Sequence, residues 1–72
     1  MQNVTHIPRV FFLFYELQDY MMTERYIFEN GNWMRQVNVD GLPYKLEDDK
    51  VDFITALAAW NWAKQNEVEM VY

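Results

Sequence analysis

The dipeptide Asn30-Gly31 narrows the folds open to this chain more than any other feature. It separates two apolar-rich runs, Tyr26-Ile27-Phe28-Glu29 and Trp33-Met34-Arg35-Gln36-Val37. Both residues of an Asn-Gly pair accept positive φ, which a type I′ turn requires and which matches the twist of the strands it joins. Residues 22–39 are therefore expected to form a β-hairpin. Asp40-Gly41 repeats the turn signal, and Pro43 behind it confines any next strand to a sheet edge or ends it. A short third element is expected near Tyr44–Leu46.

A helix is expected from about residue 49 to 65. Val51, Ile54, Leu57, Ala58 and Trp62 recur at helical spacing, and Ala56, Ala58, Ala59 and Ala63 raise the propensity. Asp48 or Asp49 is the expected cap, with Asp52 inside the first turn. Asn66 falls near the helix end. Glu67-Val68-Glu69-Met70-Val71-Tyr72 then mostly alternates and reads as a closing strand.

Pro8–Met22 admits two readings. Pro8 at a first helical position, with Val10, Leu13, Phe14, Leu17 and Met21 after it, suits a helix. The aromatic density of Arg9–Leu17, with Gln18-Asp19 as a turn, suits a buried strand, and that reading is preferred. The expected fold is α+β: a small antiparallel sheet of three to five strands against one long helix, with a C-terminal strand. Residues 1–72 are expected to form one compact domain whose first few residues are mobile.

A chain of 72 residues buries only about 60% of its unfolded surface, so its core is marginal. Such scaffolds lean on disulfides, a metal, association or an unusually apolar core. Cysteine is absent, while three Trp, five Tyr and five Phe make up 18% of the chain. Rings that each bury roughly 150–250 Å² are hard to hide completely in so small a body. Aromatic surface is thus expected to meet a partner.

The balance of charge selects the kind of partner. Six basic residues against eleven acidic ones give a net charge of −5. The cations are scattered singly, which argues against direct nucleic-acid binding and against an anionic membrane. A basic protein surface is favoured instead. The longest apolar run, Val10–Tyr15, is too short to span a bilayer, and with no leader or cysteine the cytoplasm is the expected compartment.

Glu47, Asp48, Asp49 and Asp52 are first of all an acidic helix start, stabilised by the helix dipole. The spacing does not match a twelve-residue calcium loop, so no metal is expected. The sharper reading is a docking patch that includes Glu67 and Glu69. On a strand those two would stand about 6.6 Å apart on one face, close to the spacing of neighbouring phosphates in a nucleic acid. Trp60 and Trp62 are the candidate anchors. They lie about 200° apart around a helix, within an apolar arc running from Trp60 and Phe53 through Leu57, Ile54 and Ala58 to Val51 and Trp62. One edge of so wide an arc must either wrap into the fold or face a second molecule. Ala56, Ala59 and Ala63 form a separate strip of small residues.

Catalytic chemistry has little to work with. His6 is the single histidine, serine and cysteine are absent, and both glycines belong to turns. No enzyme activity and no cofactor are expected. In size, acidity and aromatic density the chain resembles the small inhibitor proteins that phages encode against host machinery, without a shared motif. The expected role is therefore that of an acidic binding or inhibitor protein. It would act as a DNA mimic on the basic surface of a nucleoid protein, nuclease or polymerase subunit. The alternative is a structural or adaptor module that assembles through an aromatic homodimer interface.

Overall fold

The computed structural model describes residues 5–39 and 49–72. The elements are β1 (Val10–Glu16), β2 (Met21–Glu29), β3 (Asn32–Val39), β4 (Asp49–Val51), α1 (Phe53–Gln65) and β5 (Glu69–Val71). All five strands form one antiparallel sheet in the order β4-β3-β2-β1-β5. With α1 packed on one face, the fold is α+β. The element expected near Tyr44–Leu46, the Asp40-Gly41 turn and the chain start expected to be mobile lie outside the described residues.

Local chemistry explains the first three strands. Asn30 and Gly31 have φ of 53° and 79°, the two positive values that a type I′ turn needs. A Cβ on Gly31 would meet nothing within 4 Å, so glycine is favoured there by φ and not by space. Pro8–Met22 holds β1 and the start of β2, and the Leu17 N–H donates to the Tyr20 carbonyl to close the turn over Gln18-Asp19. The strand wins because alternation divides the apolar run between two faces. Phe11 and Leu13 go wholly inside, while Phe12 and Phe14 take the other side.

The register builds the core. Phe11 opposes Tyr26 on β2, and Phe28 opposes Trp33 on β3. These residues share the face under α1. The Phe11 ring stacks on Tyr26 at 5.0 Å and takes the edge of Trp60 at 5.2 Å. Leu13, Trp33, Ala56 and Ala63 complete the buried set.

The helix starts later than expected. Residues 49–51 pair with β3, placing Val51 opposite Trp33 and Asp49 opposite Arg35. Asp52 is then the cap, accepting the Thr55 N–H at 2.8 Å. Val51 fits helical spacing and an inward strand position equally, and pairing with β3 decides the matter. At the other end Val68 N–H donates to the Ala63 carbonyl and Glu67 N–H to that of Lys64. This is a Schellman close with Glu67 at φ 54°, where glycine is usual.

The connection β4-α1-β5 runs from one sheet edge to the other. Four inter-strand spacings span about 19 Å, and the 13 residues of α1 span about 20 Å. The length of the helix matches the width of the sheet. Its orientation decides what the sequence leaves open: the strip Ala56, Ala63 and Trp60 faces the sheet. Tall rings rise from the strands, so close packing demands small residues above them. Much of the wide apolar arc is thereby turned outward.

A polar pair of contacts lies on the same face of the sheet. Tyr15 donates to Glu24 Oε1 at 2.6 Å, and Tyr26 donates to Oε2 at 3.3 Å. Burial, together with the hydrogen bond to Glu24 and its charge, pushes the Tyr15 phenol well above its ordinary value of 10.0. Tyr26 is raised by burial and then by the Glu24 charge.

Stability measurements can test this packing in three places. Ala56→Leu is expected to cost ~1–3 kcal/mol by overpacking, while Ala58→Leu on the outer side changes stability by no more than about 0.5 kcal/mol; urea unfolding in dilute solution compares them. Glu67→Gly should gain up to about 1 kcal/mol by relieving the left-handed backbone, read as a higher urea midpoint. For the tyrosines, a raised folded pKa favours the neutral phenol. Their contribution is complete below the unfolded value near 10.0 and falls away as pH rises beyond it. Urea midpoints should therefore drop above that pH, and less steeply in Tyr15→Phe.

Candidate protein-interaction surface

The carboxylates expected to form one patch are divided by the fold. Asp49 pairs with Arg35 at 3.2 Å on edge strand β4. Asp52 is committed to the helix cap, and its hydrogen bonds with Thr55 hold its carboxyl below the ordinary value. Glu47 and Asp48 lie outside the described residues. Glu67 belongs to the turn before β5, in left-handed backbone, so it does not share a strand face with Glu69. The register pairs Glu69 with Phe14, on the sheet face away from α1. Asp49 and Glu69 therefore occupy opposite edges and opposite faces of the sheet. No row of carboxylates with phosphate-like spacing forms among the described residues. Nor, among them, do three His, Asp or Glu side chains stand close enough together to hold a metal.

The two helix tryptophans also part company. Trp60 is 7% exposed, inserted between Phe11 and Tyr72 and covered by Lys64, whose ammonium lies 4.9 Å from its ring centroid. It belongs to the core and is removed as a surface anchor. Trp62, on the other flank of α1, rests against Tyr15 at 6.2 Å and remains 48% exposed. It is the indole that α1 offers to solvent.

Around Trp62 the outer side of α1 forms a continuous surface. Ile54, Leu57, Ala58, Asn61, Trp62 and Gln65 line a shallow groove of about 350 Å³. Ile54 is 67% exposed. None of the six side chains carries a charge. The solvent side of a helix is ordinarily polar and charged, and 24% of this chain is charged. The charges of α1 and its ends lie elsewhere: Asp52 at the cap, and Lys64 beside Trp60 and Tyr72.

A second apolar area, on the sheet face away from α1, is less available. Phe12, Phe14, Ile27 and Met34 are half-buried there, and Gln36 is buried. The sequence identified Ile54, Leu57, Ala58 and Trp62 as parts of a wide arc but not which part faces out. The aromatic strands beneath decide that, and their register cannot be read from the helix alone. No described helix is long and apolar enough to cross a membrane. Comparison with known protein families, with curated proteins and with solved structures finds no match.

Proposed function

We propose that this protein acts by binding protein, and that its contact surface is the uncharged outer side of α1, occupied by a second copy of the chain. The single observation that carries this reading is the absence of charge along Ile54, Leu57, Ala58, Asn61, Trp62 and Gln65. Two chains of net charge −5 repel across most of their surfaces. An uncharged ridge is where they can approach without opposing like charges.

The spacing of these residues supports a two-fold arrangement. Read from either end of α1 the intervals are the same. With two helices antiparallel, Leu57 of one copy falls opposite Trp62 of the other, and Ile54 opposite Gln65. Ala58 meets Asn61 near the crossing, where a small side chain lets backbones come close. The same patch serves both copies, as a two-fold interface requires. Six side chains on a ridge about 17 Å long fall short of the roughly 20–30 residues a side of a standard interface, so the association is concentration-dependent.

The net charge supports a second reading, a basic nucleic-acid-handling partner in the cytoplasm. In that case the acidic edges of a dimer, doubled by symmetry, would do the steering, since within one protomer the carboxylates are divided. Salt separates the two contacts. Screening weakens attraction to a basic partner but relieves repulsion between like copies.

Sedimentation velocity from micromolar to near-millimolar protein is expected to show a monomer–dimer equilibrium that strengthens with added salt. Ile54→Lys should abolish the dimer without altering thermal unfolding of the monomer, because Ile54 is 67% exposed. A strict monomer throughout, or a dimer indifferent to Ile54→Lys, overturns the assignment.

A further inference from the structure

A second site lies where α1 begins, at the end of the sheet. The Phe28 N–H donates to the Arg9 carbonyl at 2.7 Å, which places Arg9 beside Phe28, and Phe28 in turn opposes Trp33, which opposes Val51. This row of four lies on the α1 side of the sheet, one step beyond Phe11 and Tyr26. α1 starts only at Phe53, and along this row Arg9 is exposed and Phe28 and Val51 are half-buried, while Trp33 stays buried. Arg9, Phe28, Trp33, Val51, Asp52 and Phe53, with Gly31 and Asn32, line an open cavity of about 490 Å³. That volume is in the range of small-molecule sites, roughly 300–1,000 Å³.

Its chemistry is specific in two respects. The apolar wall is aromatic: Trp33 forms the buried floor, and Phe53 stands 43% exposed above it. The one cation is Arg9, whose guanidinium lies 5.9 Å from the Phe28 ring centroid and which forms no ion pair among the described residues. In a chain with almost twice as many acidic as basic residues, such an arginine at the mouth of an aromatic cavity points to an external anion. Asp52, across the cavity, already accepts the Thr55 N–H at 2.8 Å.

We propose that this cavity binds a planar aromatic carboxylate, its ring against Phe53 and the exposed edge of Trp33 and its carboxylate on Arg9, which covers Phe28. A cationic ligand would meet Arg9, which already occupies the Phe28 face. A neutral ring would gain nothing from the guanidinium, and a phosphate dianion would set two charges against Asp52. A single carboxylate matches the fork of the guanidinium. The site is separate from the outer side of α1 and independent of the association proposed there.

The test is a titration of ¹⁵N-labelled protein with indole-3-acetate and, separately, its neutral amide, indole-3-acetamide. Saturable shifts are expected at the Gly31, Asn32 and Phe53 amides, with the acid bound roughly tenfold more tightly than the amide, the worth of one charge-assisted contact. Arg9→Gln should erase that preference while leaving the spectrum away from the cavity intact, since Arg9 is exposed. Equal binding of acid and amide, shifts confined to Ile54, Ala58 and Trp62, or no saturation overturns the proposal.

Discussion

The Phe11 ring is the contact around which this fold is arranged. It is completely buried, stacks on Tyr26, takes the edge of Trp60 and approaches Trp33 at 6.4 Å. Through those three rings one residue joins β1, β2, β3 and α1. A chain of 72 residues cannot build a deep aliphatic core, and without cysteine it has no covalent support. A cluster of large flat rings removes much apolar surface from water with few residues, and offset or edge-on contacts add to that. Removing the centre of such a cluster leaves a cavity that the surrounding rings cannot close without leaving their own rotamers.

The same cluster determines the character of the outer surface. Rings standing on the sheet fill the volume between the layers, so α1 can approach only with Ala56 and Ala63 beneath it. Its larger apolar residues are displaced to the flanks and the outside. Trp60 finds cover between Phe11, Tyr72 and Lys64, while Trp62 rests against Tyr15 and stays 48% exposed. An uncharged outer side on α1 is thus a consequence of how the inner side had to be filled.

Much of the architecture was legible in the residues, and the failures have physical causes. Asn30-Gly31 identified the hairpin because a type I′ turn is a local demand on φ. The closing strand and the body of α1 emerged from alternation and spacing. Asp52 was expected within the helix, but the pairing of Val51 with Trp33 assigned residues 49–51 to the sheet and made Asp52 the cap. The acidic patch failed for a topological reason. Asp49 and Glu69 are 20 positions apart in sequence, and only the strand order sends them to opposite edges. Arg9 gave no signal at all, since its place beside Phe28 and Trp33 depends on the registers of three strands.

The helix that crosses the whole sheet has a mechanical meaning. β1, β2 and β3 form a meander of successive neighbours, whereas β4, α1 and β5 act as a strap fastened at each margin by three residue pairs. Neither fastening is long enough to persist alone, and each is held in place by the helix lying between them. Because Ala56, Trp60 and Ala63 of that helix lie in the core with Phe11 and Trp33, both short margins are anchored through the centre of the molecule.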